Sequence, residues 1–281
     1  MDNKNVKPGD GRVWLLWHPL GAPAWDLCAT TGDGRVYAWN AQSGALIYSN
    51  KVASSVLAAY PMADHRKLVL LKPGKDAPYL DGPLFSYDLQ THQTELIEKQ
   101  KFLTIPQTSP DGCLFAYVTT NDQIKVWDAA TQQTRLTIKL PEQNPASLSL
   151  GFSPDSRWLA VATTEGEGWA RVFDVGTGQP VSGPLAGYSA GAYKIGFSAD
   201  SKSLVTYGTD GTAKIWHVAT SREMVSRLPV NRFLTYHWYW TALPPDGNSV
   251  VESAGEDAIR VVRLRTLAEI DALEEGQMNS P

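Results

Sequence analysis

Apolar and polar residues follow one pattern that recurs along this chain. Polar turns reading SPDG at 109–112, GFSPD at 151–155, GFSAD at 196–200 and PPDG at 244–247 each lead into an apolar run: CLFAYV, RWLAVAT, SLVTYG and NSVVES. Each run then meets a second polar turn, TND, TEGEG, TDG or GED. After it comes an alternating stretch, QIKVWD, ARVFD, AKIWH or AIRVVR. Alternation at period two marks a strand with two distinct faces. The same stretch appears earlier as GRVYAWN at 34–40, behind a Gly32-Asp33-Gly34 turn, and in weaker form as LFSYD at 84–88.

The anchors of this alternating strand are Trp39, Tyr87, Trp127, Phe173, Trp216 and Val262, separated by 48, 40, 46, 43 and 46 residues. Six copies at such a period predict a solenoid, propeller or array. The order inside a copy is constant: a short apolar strand, a Ser-Pro-Asp turn, a second strand, an Asp- or Gly-containing turn and the anchor strand. A turn such as AQSG or DVGTG then opens a fourth strand, for example ALIYSN or TRLTIKL. Pro presets φ and Asp bonds its own backbone, so both suit the first turn. Four short antiparallel strands with no helical pattern between them describe a propeller blade. The predicted fold is all-β, one β-propeller of about six four-stranded blades, at 12–50, 51–98, 99–140, 141–184, 185–230 and 231–275, with tails at 1–11 and 276–281.

The pieces FSPDS-x-x-LA-x-A-T, KVWDAATQ and TDGTAKIW resemble the WD40 repeat, and the resemblance runs over residues 12–275. Blades of that family commonly carry a Gly-His pair ahead of the FSPD turn. The resemblance implies that this His joins a hydrogen-bonded network with a later Asp and the strand Trp. Here the corresponding pair in copy five is Gly187 and Tyr188, and no other copy has His at that place. The chain therefore reads as a divergent member that lacks the network and depends more on apolar packing. The resemblance implies a rigid platform for a protein or peptide partner.

Residues 236–240, YHWYW, open the first strand of copy six. Trp240 there falls level with Trp14 of copy one, where copies four and five are polar. The tail at 1–11 has little strand character, so the ring is expected to close without strand exchange, the alternative being an open or incomplete ring that needs another chain or a missing segment. Packing of Trp14 and Trp240 would then seal the seam. In competition, Tyr236, Trp238 and Trp240 share one side of the strand, and Tyr and Trp are frequent interface anchors. Tyr236, His237, Trp238, Trp240 and Trp14 are thus candidate partner-binding residues. So are Lys75 and Tyr79, in the insert LKPGKDAPYLDGPL of copy two, because loops on rigid scaffolds often carry contacts.

A formal net charge of −4 and no run of Lys and Arg argue against a nucleic-acid partner. No run of apolar residues reaches membrane-spanning length, and no secretory leader is visible. The expected setting is cytoplasmic. Cys28 and Cys113 belong to no CxxC pair and are read as buried free thiols. GYSAG at 187–191 matches G-x-S-x-G, but it lies in a loop leading to a strand, and a loop serine is the simpler assignment for Ser189. His18, His65, His92, His217 and His237 form no close metal pair, and no phosphate loop or dinucleotide fingerprint occurs. No catalytic residue, metal or cofactor is expected.

The strands expected to line a central channel read VWLLW, VLAAY, LSLGF, YKIGF and YHWYW, with Lys194 a lone charge. That apolar lining disfavours the alternative of an enzyme or small-ligand binder working in the channel. A regulatory propeller subunit of a larger enzyme assembly is a further alternative.

Overall fold

The computed structural model describes residues 13–17, 27–31, 33–40, 43–54, 56–64, 66–72, 82–99, 106–121, 123–140, 148–163, 169–181, 183–186, 192–208, 212–229, 241–242, 249–253, 259–263 and 269. The fold is the all-β propeller type that the repeats predict. The chain divides into two compact units, residues 1–144 and 145–281.

In the first unit, blade one comprises β1 (Val13–Trp17), β2 (Leu27–Thr31), β3 (Arg35–Trp39) and β4 (Leu46–Lys51). Blade two comprises β5 (Ala58–Pro61), β6 (Lys67–Leu71), β7 (Leu84–Asp88) and β8 (Thr94–Glu98). Blade three comprises β9 (Gln107–Thr108), β10 (Leu114–Thr119), β11 (Gln123–Asp128) and β12 (Gln133–Lys139). In the second unit, blade four has β13 (Leu148–Phe152), β14 (Trp158–Thr163) and β15 (Ala170–Asp174). Blade five has β16 (Ala192–Phe197), β17 (Ser203–Gly208), β18 (Thr212–His217) and β19 (Arg222–Pro229), and blade six has β20 (Thr241–Ala242), β21 (Ser249–Ser253) and β22 (Ile259–Arg263). Every sheet is an antiparallel meander in chain order.

The apolar runs form the second strands because these are covered on both faces. In β6, Leu68 and Leu70 pack with Val36, Ala38 and Ala59 towards blade one, while Val69 and Leu71 pack with Phe115, Tyr117 and Trp127 towards blade three. With both faces dry, no polar alternation survives. In the second unit, Ala160, Ala162, Ala170 and Val172 of blade four meet Leu204, Trp216 and Val218 of blade five. Small alanines on one sheet make room for the indole of the other. The anchors Tyr87, Trp127, Phe173 and Trp216 are all buried, while Trp39 is half-buried and stacked on Tyr37 at 5.8 Å. The pairing of third and fourth strands shifts register at Ala38/Trp39, Val126/Trp127 and Ile215/Trp216. A bulge beside the largest side chain turns the outer strand out of the stack. The outer strands are the exposed ones, and Leu46, Ile47 and Leu96 lie open on β4 and β8.

Two kinds of turn hold the strands in register. At the first, Ser109, Ser153 and Ser198 are buried, and their hydroxyls donate to Asp111, Asp155 and Asp200 at 2.5, 2.6 and 2.6 Å. The same hydroxyls accept the amides of Leu114, Trp158 and Ser203, each at 2.9 Å. The residue three after each Ser, namely Gly112, Ser156 or Ser201, has φ of 68°, 59° or 62°. At the second turn, Asp88, Asp128 and Asp174 accept two following backbone amides each, at 2.8–3.0 Å for Asp88 and 2.9 Å for the other two. Asn40 does the same work for Ser43 at 2.8 Å. Four residues after each of these, Gly44, His92, Gln132 and Gly178 take the left-handed conformation.

Blade four departs from the pattern. Its fourth-strand position is reduced to two bridges, Ala170↔Leu185 and Phe173↔Pro180. Pro180 and Pro184 have no amide to donate, so a regular ladder cannot form there. Cys113 is a correction: it is exposed. It sits at the corner after Gly112, one residue before β10 enters the core, and so faces outward. The side chain of Cys28 lies outside the described residues.

Candidate functional site

The candidates Tyr236, His237, Trp238, Trp240, Lys75 and Tyr79 lie outside the described residues, as do His18, His65 and Ser189. Trp14 is in β1, its backbone opposite Thr30, with its side chain outside the description. Val262 is in β22 opposite Val250, likewise by its backbone alone. The stem of the inserted loop is described: Lys72 donates its amide to the Pro83 carbonyl at 3.2 Å, and its ammonium lies 4.1 Å from the centre of the Phe85 ring.

What the described structure brings together is a polar cleft of about 140 Å³ at the outer rim of blades two and three. Arg66 and Lys67 enter from the start of β6, Ser86 and Asp88 from β7, and Glu95 from β8. Gln132 comes from the left-handed position of the neighbouring blade's turn. A second depression of about 100 Å³ shares Ser86, Glu95 and Gln132 and extends to Leu96, Ile97, Trp127 and Thr134. Two cations and two carboxylates face a common space, so the cleft suits a partner that offers both signs of charge or many hydrogen bonds.

The cleft is held from behind. Arg66 Nε donates to Asp88 Oδ2 at 2.8 Å. The amide of Thr91, helped by that of Gln90 and by Arg66, outweighs burial and holds the Asp88 carboxyl below the ordinary carboxylate range. Lys125 of β11 reaches Glu98 of β8 at 2.5 Å and ties the two blades along the same rim. Behind the turn, the Tyr87 hydroxyl bonds His92 Nδ1 at 2.8 Å. Burial raises the Tyr87 hydroxyl, and burial also pushes the neighbouring Tyr48 up to about 12. Among the described residues, no group of three or more His, Cys, Asp and Glu could hold a metal ion.

No sequence motif marks this cleft. Its charges come from three strands of one repeat and its far wall from a turn of the next, so the residues are scattered between positions 66 and 134. What the sequence does offer nearby is the Asp that ends the anchor strands of blades two and three, Asp88 and Asp128, which fixes where each following turn must go.

In blade five, the buried Trp216 donates its indole N–H to Thr206 Oγ1 at 2.8 Å. Beside the apolar packing of this blade, its strand Trp keeps a polar partner, supplied by the middle of β17. Residues 180–217, which span this strand, match the family model described as WD domain, G-beta repeat. That segment carries a WD40 repeat. It is 31% identical over 156 residues to an uncharacterized WD repeat-containing protein of Synechocystis sp., covering 55% of this chain and 42% of that one. It is 24% identical over 132 residues to Protein groucho of Drosophila melanogaster, covering 47% of this chain and 18% of groucho. The chain thus spans less than half the length of these curated relatives. Among solved structures it is similar to the computationally designed Ika8 protein, with a TM-score of 0.59, 19% identity, and 84% and 67% of the two chains covered. It is also similar to Kuenenia stuttgartiensis hydrazine synthase, with a TM-score of 0.60, 17% identity, and 93% and 82% covered. At these identities the structural likeness concerns the fold.

Proposed function

We propose that this WD40 chain is a non-catalytic, regulatory platform that binds another protein or peptide in the cytoplasm. The observation that carries the reading is the mixed-charge cleft across blades two and three, set on strands and hydrogen-bonded turns. A site on such a frame loses little freedom when a partner arrives, which favours affinity. The WD-repeat relatives support a protein partner as the general kind. The aromatic run Tyr236, His237, Trp238 and Trp240, together with Trp14 and the loop residues Lys75 and Tyr79, are proposed as further contacts.

The test is covalent capture from source cells by the full chain, run in parallel with three altered chains. One carries Arg66→Glu and Gln132→Ala, one carries Trp238→Ala, and one carries Lys75→Ala and Tyr79→Ala. A protein captured by the wild type, lost from one variant, and rebound by the purified wild type supports the platform reading. Capture that is identical across all four chains overturns it.

A further inference from the structure

We propose that Trp169 and Arg171 form a receptor for the side-chain carboxylate of an acidic segment in a protein partner. The inference rests on the platform reading and names the chemistry of one contact. Trp169 is 8% exposed, and its indole Nε1 has no hydrogen-bond partner among the described residues. Arg171 Nε is likewise buried and without a partner among them. The two residues are two apart along the strand, so they share one face of the sheet. Their neighbours Ala170 and Val172 belong to the core shared with blade five. The guanidinium lies 5.8 Å from the centre of the Trp169 ring, close enough for cation–π attraction.

The chemistry selects an anion. An indole N–H is a donor only, and a guanidinium is a permanent cation with donors only. Buried donors left unpaired are costly, and native proteins rarely keep two side by side without a use for them. A carboxylate offers two acceptor oxygens and the opposite charge, which gives the strongest class of hydrogen bond. The outer edge of the blade is incomplete here. Between the bridges Ala170↔Leu185 and Phe173↔Pro180 the outer ladder is interrupted beside Arg171, and a Cβ added at Gly183 would meet no atom within 4 Å. The position of Trp169 is itself fixed, because its amide donates to Thr163 Oγ1 at 3.1 Å and its carbonyl accepts the Thr163 amide at 3.0 Å.

The experiment is a titration of the ¹⁵N-labelled full chain with N-acetyl-glutamate N-methylamide, and separately with the glutamine counterpart at equal ionic strength. The Trp169 indole resonance is assigned by its loss in Trp169→Phe. The expected result is a saturable shift of the Trp169 Nε1–H and Arg171 Nε–H signals with the glutamate probe, and binding at least about tenfold weaker for the neutral probe. Arg171→Lys, which keeps the charge but removes the Nε donor, should weaken the glutamate probe several-fold. Equal shifts with both probes, or none with either up to about 100 mM, overturn the receptor. Because the probe is a small molecule, that result leaves the cellular capture experiment to decide the platform reading separately.

Discussion

Replacing Ser109 with Ala removes one oxygen from a turn that three blades share. That oxygen is buried, donates to Asp111 Oδ1 at 2.5 Å and accepts the Leu114 amide at 2.9 Å. Losing a hydrogen bond to a charged acceptor costs about 1.5–3 kcal/mol, and leaving a buried amide unpaired costs about 1–3 kcal/mol. The sum overstates the effect, because Asp111 is exposed and keeps the Cys113 amide at 3.0 Å. Blade two shows how far the turn can adjust. There Met62 stands in place of the serine, and Asp64 Oδ1 accepts both the Arg66 and the Lys67 amides at 2.9 Å. Lys67 corresponds to Leu114, since its carbonyl accepts the Met62 amide as the Leu114 carbonyl accepts that of Ser109. If Asp111 swings in the same way, part of the loss is recovered, and the expected net cost is about 2 kcal/mol. Urea unfolding followed by far-ultraviolet circular dichroism gives the number. Hydrogen exchange at the Leu114 amide should quicken in step. A cost under about 0.5 kcal/mol, the range of an ordinary surface site, would refute the reasoning.

Three further outcomes are expected. Gly34→Ala should cost about 3 kcal/mol or more by the same assay, since φ is +86° and the new Cβ would lie 2.1 Å from the Ala53 carbonyl oxygen. Trp216→Phe and Thr206→Val should each destabilise and be non-additive, with a coupling of about 1 kcal/mol in a double-mutant cycle; additive losses would show that the 2.8 Å contact contributes nothing. His217 occupies the turn position held by Asp in blades two to four, and its Nδ1 bonds Thr220 Oγ1 at 2.9 Å. Burial lowers its affinity for protons below the ordinary value of 6.5. The unfolded chain therefore binds the proton more readily, and stability should fall as pH drops through 6.5 towards the folded-state value. His217→Asp should lessen that acid-side loss near pH 6, measured as the midpoint of urea unfolding; an unchanged pH dependence would reject the assignment.

The fold was legible because blades three, four and five repeat the same first turn. The Ser-Pro-Asp turns at 109 and 153 and the Ser-Ala-Asp turn at 198 are the turns in which Ser and Asp bond one another. The anchors Tyr87, Trp127, Phe173 and Trp216 are buried where the alternation placed them. Blade four was harder to read. Pro180 and Pro184 spoil its outer ladder, yet the preceding DVGTG turn looks like every other. Cys113 lay beside an apolar run, and only the turn geometry shows that it stays outside. The cleft was not legible at all, because Gln132 and Glu95 become neighbours only when two blades stack. The donors Trp169 and Arg171 stand two apart in the sequence, but what marks them is the lack of an acceptor among the described residues, which is a property of burial and not of pattern.

The interrupted rim of blade four has a consequence for how the molecule behaves in a crowd. Outer strands such as β4 and β8, with Leu46, Ile47 and Leu96 exposed, offer an edge onto which an extended chain could add. Pro180 and Pro184 deny that templating role to blade four. Lateral growth into fibres would find such an edge on β4 and β8 and not on blade four. Charged substitutions that discourage clumping during expression or storage belong on β4 and β8.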